Sequence, residues 1–334
     1  MVVIAEIADS HNGSIQTAKK LIQEAKKAGA DVAKFQLHLP DVEMIPGSIK
    51  MWDGPLYDIL KRNLFSAKTH KELMDYCDKL GIEYLCTPFC PAAVDILNNL
   101  GVKAFKTGSG ELTNLPMHRK LAKISAKTRK PVIISTGMST WEEITETVKV
   151  HKEEGSNFML MNCTSEYPPN NYSHANLGLI PKMQKEFNVR VGQSDHTMDN
   201  YTAYAAVALG AGAIEKHFTL SRKQKGPDHF ISLEPHMLKD LVNGVRKIEV
   251  AIGDKKTISK DERVVRDWAF HSVVADSNIK KGENVSLQNV RPARPGRGIP
   301  AKYLDKIYSS KLFSKKTKRN LSKNTILQWE DLIS

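Results

Sequence analysis

The chain has few cysteines and no long apolar run, and each shortage argues against a class of protein. No apolar stretch approaches the ~20 residues that a membrane-spanning helix needs, so we expect no membrane partner. The N-terminus MVVIAEIADSHNG is apolar but has neither a basic leader nor a small-residue cleavage site, which indicates a strand. The four cysteines include no Cys-x-x-Cys pair, so we expect reduced thiols and a cytoplasmic protein.

Positive charge, in contrast, is in excess and unevenly distributed. The formal charge is +12, and the segment from residue 251 to the end has 18 basic and 9 acidic residues, a net of +9. Such an excess favours anionic partners, including phosphorylated substrates. Neither the aromatic residues of this segment nor any zinc-finger spacing predicts a nucleic-acid-binding stretch, so nucleic acid is not an expected partner, and a solvated basic surface is the simpler interpretation.

Short apolar strands alternate with amphipathic helical segments over the first 250 or so residues. Parallel strands need crossover connections, so this alternation predicts a parallel sheet. Eight such units match a closed (β/α)8 TIM barrel, whereas a doubly wound open sheet is disfavoured because no G-x-G-x-x-G follows the first strand. The predicted strands are Val2–Ala8, Val32–Leu37, Glu83–Phe89, Ala104–Ser109, Pro131–Gly137, Phe158–Thr164, Arg190–His196 and Ala213–Thr219.

The pattern changes after a predicted helix at Pro235–Ile252. A polar stretch, GDKKTISKDERVVRD, is followed by short strand-like pieces separated by turns. We therefore predict a barrel domain over residues 1–252, a linker over 253–270 and a small β-rich domain over 271–334.

Polar residues stand at the carboxyl ends of all eight predicted strands. The active sites of (β/α)8 barrels lie at this end of the strands, so these residues together predict an active site, although any one of them could be an ordinary loop residue. They are Glu6, Lys34, Gln36, Thr87, Lys106, Ser109, Ser135, Thr164, Ser165, Ser194, His196, Glu215 and His217.

Two of these residues suggest a metal site. His196 and His217 end the seventh and eighth strands, and adjacent strands lie about 4.8 Å apart. Two imidazoles at that spacing can share one divalent ion at about 2.1 Å, with positions left open for substrate, as Lewis-acid catalysis requires. Each histidine alone is more simply interpreted as a hydrogen-bonded interior residue.

Two glycine-containing turns suggest an anion site. The segment Lys106-Thr-Gly-Ser-Gly-Glu111 follows the fourth strand and Ser135-Thr-Gly137 follows the fifth. Glycines allow the backbone to approach a ligand closely, and successive amides can bind anions. With the ammonium groups of Lys34 and Lys106, these turns predict a cradle for a phosphate and a carboxylate.

The segments that carry these residues resemble the sialic acid (nonulosonic acid) synthase family, in the family's order and over nearly the whole chain. They are AEIADSHNG, GADVAKFQ, TPF, FKTGSGELTNLP, KPVIISTGM, CTSEYP, VGQSDHT, IEKHFTL and GPDH, and the tail DSNIKKGENVSLQNVRPARPGRGIP with LSKNTILQWEDL resembles the antifreeze-like SAF domain. The resemblance implies a barrel enzyme that condenses phosphoenolpyruvate with N-acetylmannosamine or a related sugar. It further implies bound Mn2+, with Mg2+ or Co2+ as alternatives, and a domain-swapped homodimer.

The resemblance also implies a role for individual residues. His196 and His217 match metal ligands, and Glu6 matches the carboxylate near the reacting carbons. Thr87 and Ser165 are expected to contact substrate. The family's phosphoenolpyruvate-binding residues correspond here to Lys34, Lys106, Ser109, Ser135 and Ser194. Its sugar-binding residues correspond to Gln36, Glu111, Tyr167 and Asp228. The arginine that one subunit contributes to its partner's site corresponds to Arg294.

Departures from the family pattern leave the acceptor sugar open. Ser10 stands where many members have Asn, Cys90 follows TPF, and Ser165 occupies a position that is Asn in some relatives. A diamino sugar leading to legionaminic or pseudaminic acid is therefore an alternative. Other classes remain open: a Schiff-base aldolase with Lys34 or Lys106 as nucleophile, or a non-catalytic sugar-binding protein.

Overall fold

The computed structural model describes residues 1–51, 54–169 and 171–334, and these divide into two compact units. The first unit is Met1–Gly253 and the second is Asp254–Ser334. No helix within the described ranges is long and apolar enough to cross a membrane. All four cysteines are free thiols.

The first unit is built on eight parallel strands, which confirms the predicted TIM-type barrel. The strands are β1 (Val2–Glu6), β2 (Val32–Leu37), β3 (Glu83–Pro88), β4 (Phe105–Thr107), β5 (Val132–Ser135), β6 (Phe158–Cys163), β7 (Arg190–Asp195) and β8 (Ala213–His217). Neighbouring strands pair in the order β3-β2-β1-β8-β7-β6-β5-β4, and β3 also contacts β4, which closes the sheet into a cylinder.

Helices connect the strands and cover the outside of the sheet. The first is typical: the Ser14 hydroxyl accepts a hydrogen bond from the Thr17 amide, and the helix ends at Gly29, whose φ of 92° favours glycine. The helices of this unit are α1 (Ile15–Ala28), α2 (Pro40–Glu43), α3 (Leu56–Asn63), α4 (Ala67–Leu80), α5 (Pro91–Leu100), α6 (Leu115–Thr128), α7 (Trp141–Glu153), α8 (Leu179–Phe187), α9 (Tyr201–Ala208) and α10 (Pro235–Ala251).

Most strands end one or two residues before their predicted ends, because the chain turns into a loop there. The clearest case is β4, predicted as Ala104–Ser109 but ending at Thr107, where the chain enters a 3-10 turn at Ser109–Glu111. Further short elements are the Tyr172–Ala175 3-10 turn and a ladder of Lys50–Met51 with Gly54–Pro55. Because the strands end early, the loops that follow them place polar side chains around the carboxyl end of the barrel.

The second unit begins with helix α11 (Lys260–Ala269), which lies within the segment predicted to be a linker. The Ser259 hydroxyl and the Glu262 carboxylate form a reciprocal capping box that starts this helix. The remaining elements surround a separate apolar core. They are β9 (Ser272–Ala275), β10 (Val290–Ala293), α12 (Ser309–Phe313), β11 (Lys316–Thr317), β12 (Leu332–Ile333) and the 3-10 turns Ala301–Leu304 and Trp329–Asp331.

A buried histidine pair predicts acid sensitivity. His118 Nδ1 lies 3.1 Å from His151 Nε2, and burial lowers their pKa values to about 4 and about 3. Unfolded histidine binds a proton below about 6.5, so these residues lose stability as the pH falls towards their folded pKa values. We expect His118→Gln to reduce the loss of unfolding free energy between pH 6.5 and 4.5 by about 2 kcal/mol, measured by urea titration.

The exposed His236, on α10, offers the matched control. His236→Gln should leave the pH dependence of the wild type unchanged. An equal pH dependence for His118→Gln and wild type would contradict the assignment.

Candidate active site

A cavity of about 520 Å3 lies at the carboxyl ends of the barrel strands, and all but two of the predicted site residues line it. The exceptions are Thr164 and Arg294; Arg294 lies in the second unit with its guanidinium 6.0 Å from the Trp268 ring centre. The individual roles remain predictions. The lining residues among them are Glu6, Lys34, Gln36, Thr87, Lys106, Ser109, Glu111, Ser135, Ser165, Tyr167, Ser194, His196, His217 and Asp228.

The floor of the cavity is organised by Glu215, to which the sequence assigned no role. Its Oε1 accepts hydrogen bonds from Lys34 Nζ at 2.7 Å and Ser194 Oγ at 3.2 Å, and Lys106 Nζ lies 3.7 Å away. Burial alone would raise the pKa of Glu215, but the two ammonium groups hold it well below its usual value. Glu215 therefore stays ionised. Its position two residues before His217, on the same face of β8, was the available signal.

Glu6 lies beside this cluster, and its pKa is shifted in the opposite direction to that of Glu215. Gln36 Nε2 donates to Glu6 Oε1 at 2.8 Å, and Lys34 Nζ lies 3.3 Å from Oε2. Burial, which Lys34 partly offsets, raises the pKa of Glu6 to about 7. A carboxyl group with that pKa can exchange a proton near neutral pH.

The side of the cavity near β4 and β5 is suited to an anion. Lys106 Nζ donates to the Ser135 hydroxyl, and the Gly137 amide donates to Ser109 Oγ at 3.1 Å. A Cβ on Gly137 would lie 2.3 Å from Ser165 Oγ, so glycine is required for this close packing. Hydroxyl groups and a lysine from two adjacent strands therefore converge on one volume.

The two predicted metal ligands face each other across neighbouring strands. The ring centres of His196 and His217 are 5.3 Å apart, and Tyr167 packs 4.2 Å from the His196 ring. His196 Nδ1 contacts the Thr164 carbonyl at 2.7 Å, and this contact orients the ring.

His217 is suited to binding a cation because its ring is neutral and incompletely satisfied. Burial and the neighbouring His196 hold its pKa well below the usual value, and its buried Nδ1 has no hydrogen-bond partner. The described residues contain no cluster of three or more His, Cys, Asp or Glu side chains arranged for a metal. The donors thus fit a divalent ion held by two imidazoles, with its other positions free for small ligands.

A buried ion pair links the residues that directly precede the two histidines. Lys216 precedes His217 and donates to Asp195 Oδ2 at 2.9 Å, to the Thr197 carbonyl at 2.6 Å and to the Asp199 carbonyl at 2.6 Å. Asp195 precedes His196. One lysine therefore ties the ends of β7 and β8 together and orders the loop that follows His196.

Several cavity residues outside the predicted set come from the loops after β1 and β2 and from the end of β6. Cys163 is one: burial alone would raise its pKa, but its hydrogen bond with His196 lowers the pKa to about 7. His38 is another: its ring stacks on Phe89 at 3.9 Å, and its Nδ1 lies 2.7 Å from Glu43 Oε1. His38 stands two residues after Gln36, so strand alternation could have placed it in the site.

The sequence of this chain is similar to those of named synthases. The chain is 41% identical over 312 residues to N,N'-diacetyllegionaminic acid synthase of Campylobacter jejuni, covering 90% of this chain and 92% of that protein. It is 36% identical over 310 residues to N-acetylneuraminate-9-phosphate synthase of Mus musculus, covering 89% and 84%.

Solved structures agree with these sequence matches. The crystal structure of N-acetylneuraminic acid (sialic acid) synthetase from Leptospira borgpetersenii aligns with a TM-score of 0.70 at 29% identity, covering 79% of this chain and 89% of that one. The NeuB family model matches residues 21–257, and the SAF domain model matches residues 270–333. With its barrel, its convergent strand-end residues and these matches, the chain belongs to the NeuB family of synthase-type enzymes and ends in a SAF domain.

Proposed function

We propose that this enzyme condenses phosphoenolpyruvate with an amino-sugar aldehyde, N-acetylmannosamine or a related 2-acetamido sugar, to give a nonulosonic acid and phosphate. The observation that carries the proposal is the meeting of two features in one cavity. Lys34, Lys106 and Ser135 would bind the anion, and His196 with His217, which lie beside them, would bind the cation.

Lys34 and Lys106 would bind the phosphate and carboxylate of phosphoenolpyruvate. Both are buried and already share the Glu215 carboxylate, so they need little reorganisation to receive a second anion. The Ser109 and Ser135 hydroxyls add hydrogen bonds on the same side. Fixing the enol phosphate in this way makes its C3 a positioned nucleophile for the aldehyde.

A divalent ion held by His196 and His217, with Mn2+ expected and Mg2+ or Co2+ as alternatives, would supply Lewis-acid polarisation of the aldehyde oxygen. C3 bonds to the aldehyde carbon, and positive charge develops at C2 of the former enol. Glu6 is placed to stabilise that charge or to take a proton from the water that adds to C2. The C2–O bond to phosphate then breaks, leaving the keto acid.

A homodimer with exchanged SAF domains is part of the proposal. Arg294 would reach the barrel mouth of the partner and contact the sugar. The described residues of the barrel support a need for such a group, because the lysines and arginines lining the cavity are Lys34 and Lys106, both on the enol-phosphate side.

A diamino sugar is the second candidate acceptor. It is favoured by the 41% identity to the Campylobacter protein named N,N'-diacetyllegionaminic acid synthase, which exceeds the 36% to the mouse protein. Pseudaminic acid synthase of the same bacterium is 36% identical to this chain. An acceptor panel should therefore include 2,4-diacetamido sugars.

The proposal is tested by following phosphoenolpyruvate loss and phosphate release with a panel of 2-acetamido and diacetamido sugars. We expect stoichiometric loss and release that depends on the sugar and on added Mn2+. Borohydride treatment with substrate should trap no lysine adduct, whereas trapping together with insensitivity to chelator would favour a Schiff-base aldolase. Sugar binding without phosphate release would favour a non-catalytic protein.

A further inference from the structure

Lys216 is a buried lysine on β8 that does not line the active-site cavity. Successive residues of a strand face opposite sides, so Glu215 and His217 face the cavity while Lys216 lies on the other side of the sheet. Its relative exposure is 2%, although lysine is rarely buried to this extent unless it is paired. Lys34 and Lys106 are also buried, but both line the cavity and are placed to bind substrate. The buried charge of Lys216 therefore needs a different explanation.

Within the described part of the chain, the acceptors of the Lys216 ammonium group all come from the segment that begins one residue before His196. Lys216 Nζ donates to Asp195 Oδ2 at 2.9 Å and contacts Thr197 Oγ1 at 3.2 Å. It also donates to the carbonyl oxygens of Thr197 and Asp199, each at 2.6 Å. One cation therefore holds the backbone and side chains on both sides of His196.

The Asp195 carboxylate is engaged from several directions as well. Its Oδ2 accepts hydrogen bonds from Thr197 Oγ1 at 3.0 Å and from Thr202 Oγ1 on α9 at 2.7 Å, in addition to the bond from Lys216. Its Oδ1 accepts a hydrogen bond from the Thr197 amide at 3.1 Å. All four residues are buried, and none of them lines the cavity. This network can therefore affect the reaction only through the residues that it holds in place.

The backbone ladder between β7 and β8 ends at this network. The last paired residues of the two strands are Asp195 and Lys216 themselves, so His196 and His217 lie one residue beyond the ladder. The pairing of β7 with β8 therefore does not extend to the two histidines. The side-chain network continues the connection past the last pair, because Lys216 is bonded to His217 and its acceptors lie on both sides of His196.

We propose that Lys216 is a positioning residue of the metal site: through Asp195 it sets the 5.3 Å separation of the His196 and His217 ring centres, and thereby the affinity for a divalent ion. The inference rests on the proposed function, in which these two imidazoles hold the ion. An ion with two protein ligands depends strongly on their placement, because few other protein donors can compensate for a displaced ring. Residues that orient metal ligands typically change metal affinity by about 10–100-fold.

The test measures Mn2+ binding to the full-length protein by electron paramagnetic resonance of the free ion. Lys216→Met keeps an unbranched side chain but removes the charge, and it should weaken Mn2+ binding by at least about tenfold. Asp195→Asn, which keeps the shape of the side chain, should also weaken binding. The double variant should bind no more weakly than the weaker single variant, because both changes break the same pair. Calorimetry without metal should show phosphoenolpyruvate binding within about threefold of wild type in all three variants, because Lys34 and Lys106 lie outside this network.

A second ion pair of the barrel offers the matched control. Arg246 pairs with Asp31 at 2.6 Å, and Asp31 directly precedes β2, at the amino ends of the strands and away from the cavity. Arg246→Met therefore makes the same kind of change as Lys216→Met at the opposite end of the barrel. It should bind Mn2+ as wild type does, and urea unfolding of each variant reports any general loss of stability.

Unchanged Mn2+ binding in Lys216→Met and Asp195→Asn would overturn the inference, and so would an equal weakening in Arg246→Met. If Lys216→Met does not fold, Asp195→Asn decides the question by itself. Failure of the proposed metal role looks different: His196→Ala and His217→Ala would then bind Mn2+ as tightly as wild type, or wild type would not bind it, and the inference would fall with that role.

Discussion

Replacing either His196 or His217 with alanine is expected to lower phosphate release by at least about 10³-fold, because a bound metal ion contributes several kcal/mol to transition-state stabilisation. Their ring centres are 5.3 Å apart and His217 Nδ1 has no hydrogen-bond partner, so the two imidazoles are placed to share one ion. Chelator should abolish wild-type turnover, and added Mn2+ should restore it. Added Mn2+ should not restore turnover in either variant.

The decisive second readout is Mn2+ binding itself, followed by electron paramagnetic resonance of the free ion in an equilibrium titration. Wild type should bind about one ion per chain, and each variant should bind at least tenfold more weakly. His236→Ala, which removes an exposed imidazole on α10, serves as the matched control and should bind as wild type does. Full turnover or unchanged binding in either active-site variant would refute the metal role.

The second large effect is expected on stability. Glu215→Gln keeps the shape of the side chain but removes the negative charge between Lys34 and Lys106. Lys106 would then lose its carboxylate partner and Lys34 would keep only Glu6, and breaking a buried ion pair in this way typically costs about 3–5 kcal/mol. Urea unfolding monitored by circular dichroism should show this loss of unfolding free energy.

An exposed carboxylate gives the comparison for this change. Glu153 pairs with Arg119 on the surface, and Glu153→Gln should change the unfolding free energy by less than about 1 kcal/mol. Phosphoenolpyruvate should stabilise Glu215→Gln more than it stabilises wild type, because the ligand restores negative charge beside the lysines. A Glu215→Gln protein as stable as Glu153→Gln would show that Glu215 does not hold the lysines in place.

The barrel could be predicted because its signals are local. An apolar strand followed by an amphipathic helix repeats eight times, and β2 has the predicted bounds, Val32–Leu37. The prediction of secondary structure was incomplete where a local signal in the sequence was not recognised. Ser259 and Glu262 stand three residues apart, the spacing of a capping box, yet the helix that they start was interpreted as part of a polar linker.

Some features of the candidate site could likewise be predicted from local sequence signals, whereas others could not. Histidines at the ends of β7 and β8 were expected to meet, because adjacent parallel strands have fixed spacing. The role of Glu215 was not foreseen, since its partners lie 181 and 21 residues away in the chain, in Lys34 and Ser194. Asp9 and Glu43 also line the cavity but were not predicted, because they lie several residues beyond the ends of β1 and β2, where strand alternation no longer indicates their position.

The sequence by itself determined which residue types stand at the strand ends, and hence the barrel, the paired imidazoles and the lysine-rich anion side. Periodicity and strand geometry suffice for these, because each depends on a repeat of a few residues. Only the tertiary structure decided how the charges are shared: Glu215 contacts two lysines, Lys216 pairs with Asp195 beside both histidines, and Glu43 contacts His38. Burial and distance set the ionisation of such groups, and both quantities exist only once distant segments have packed together.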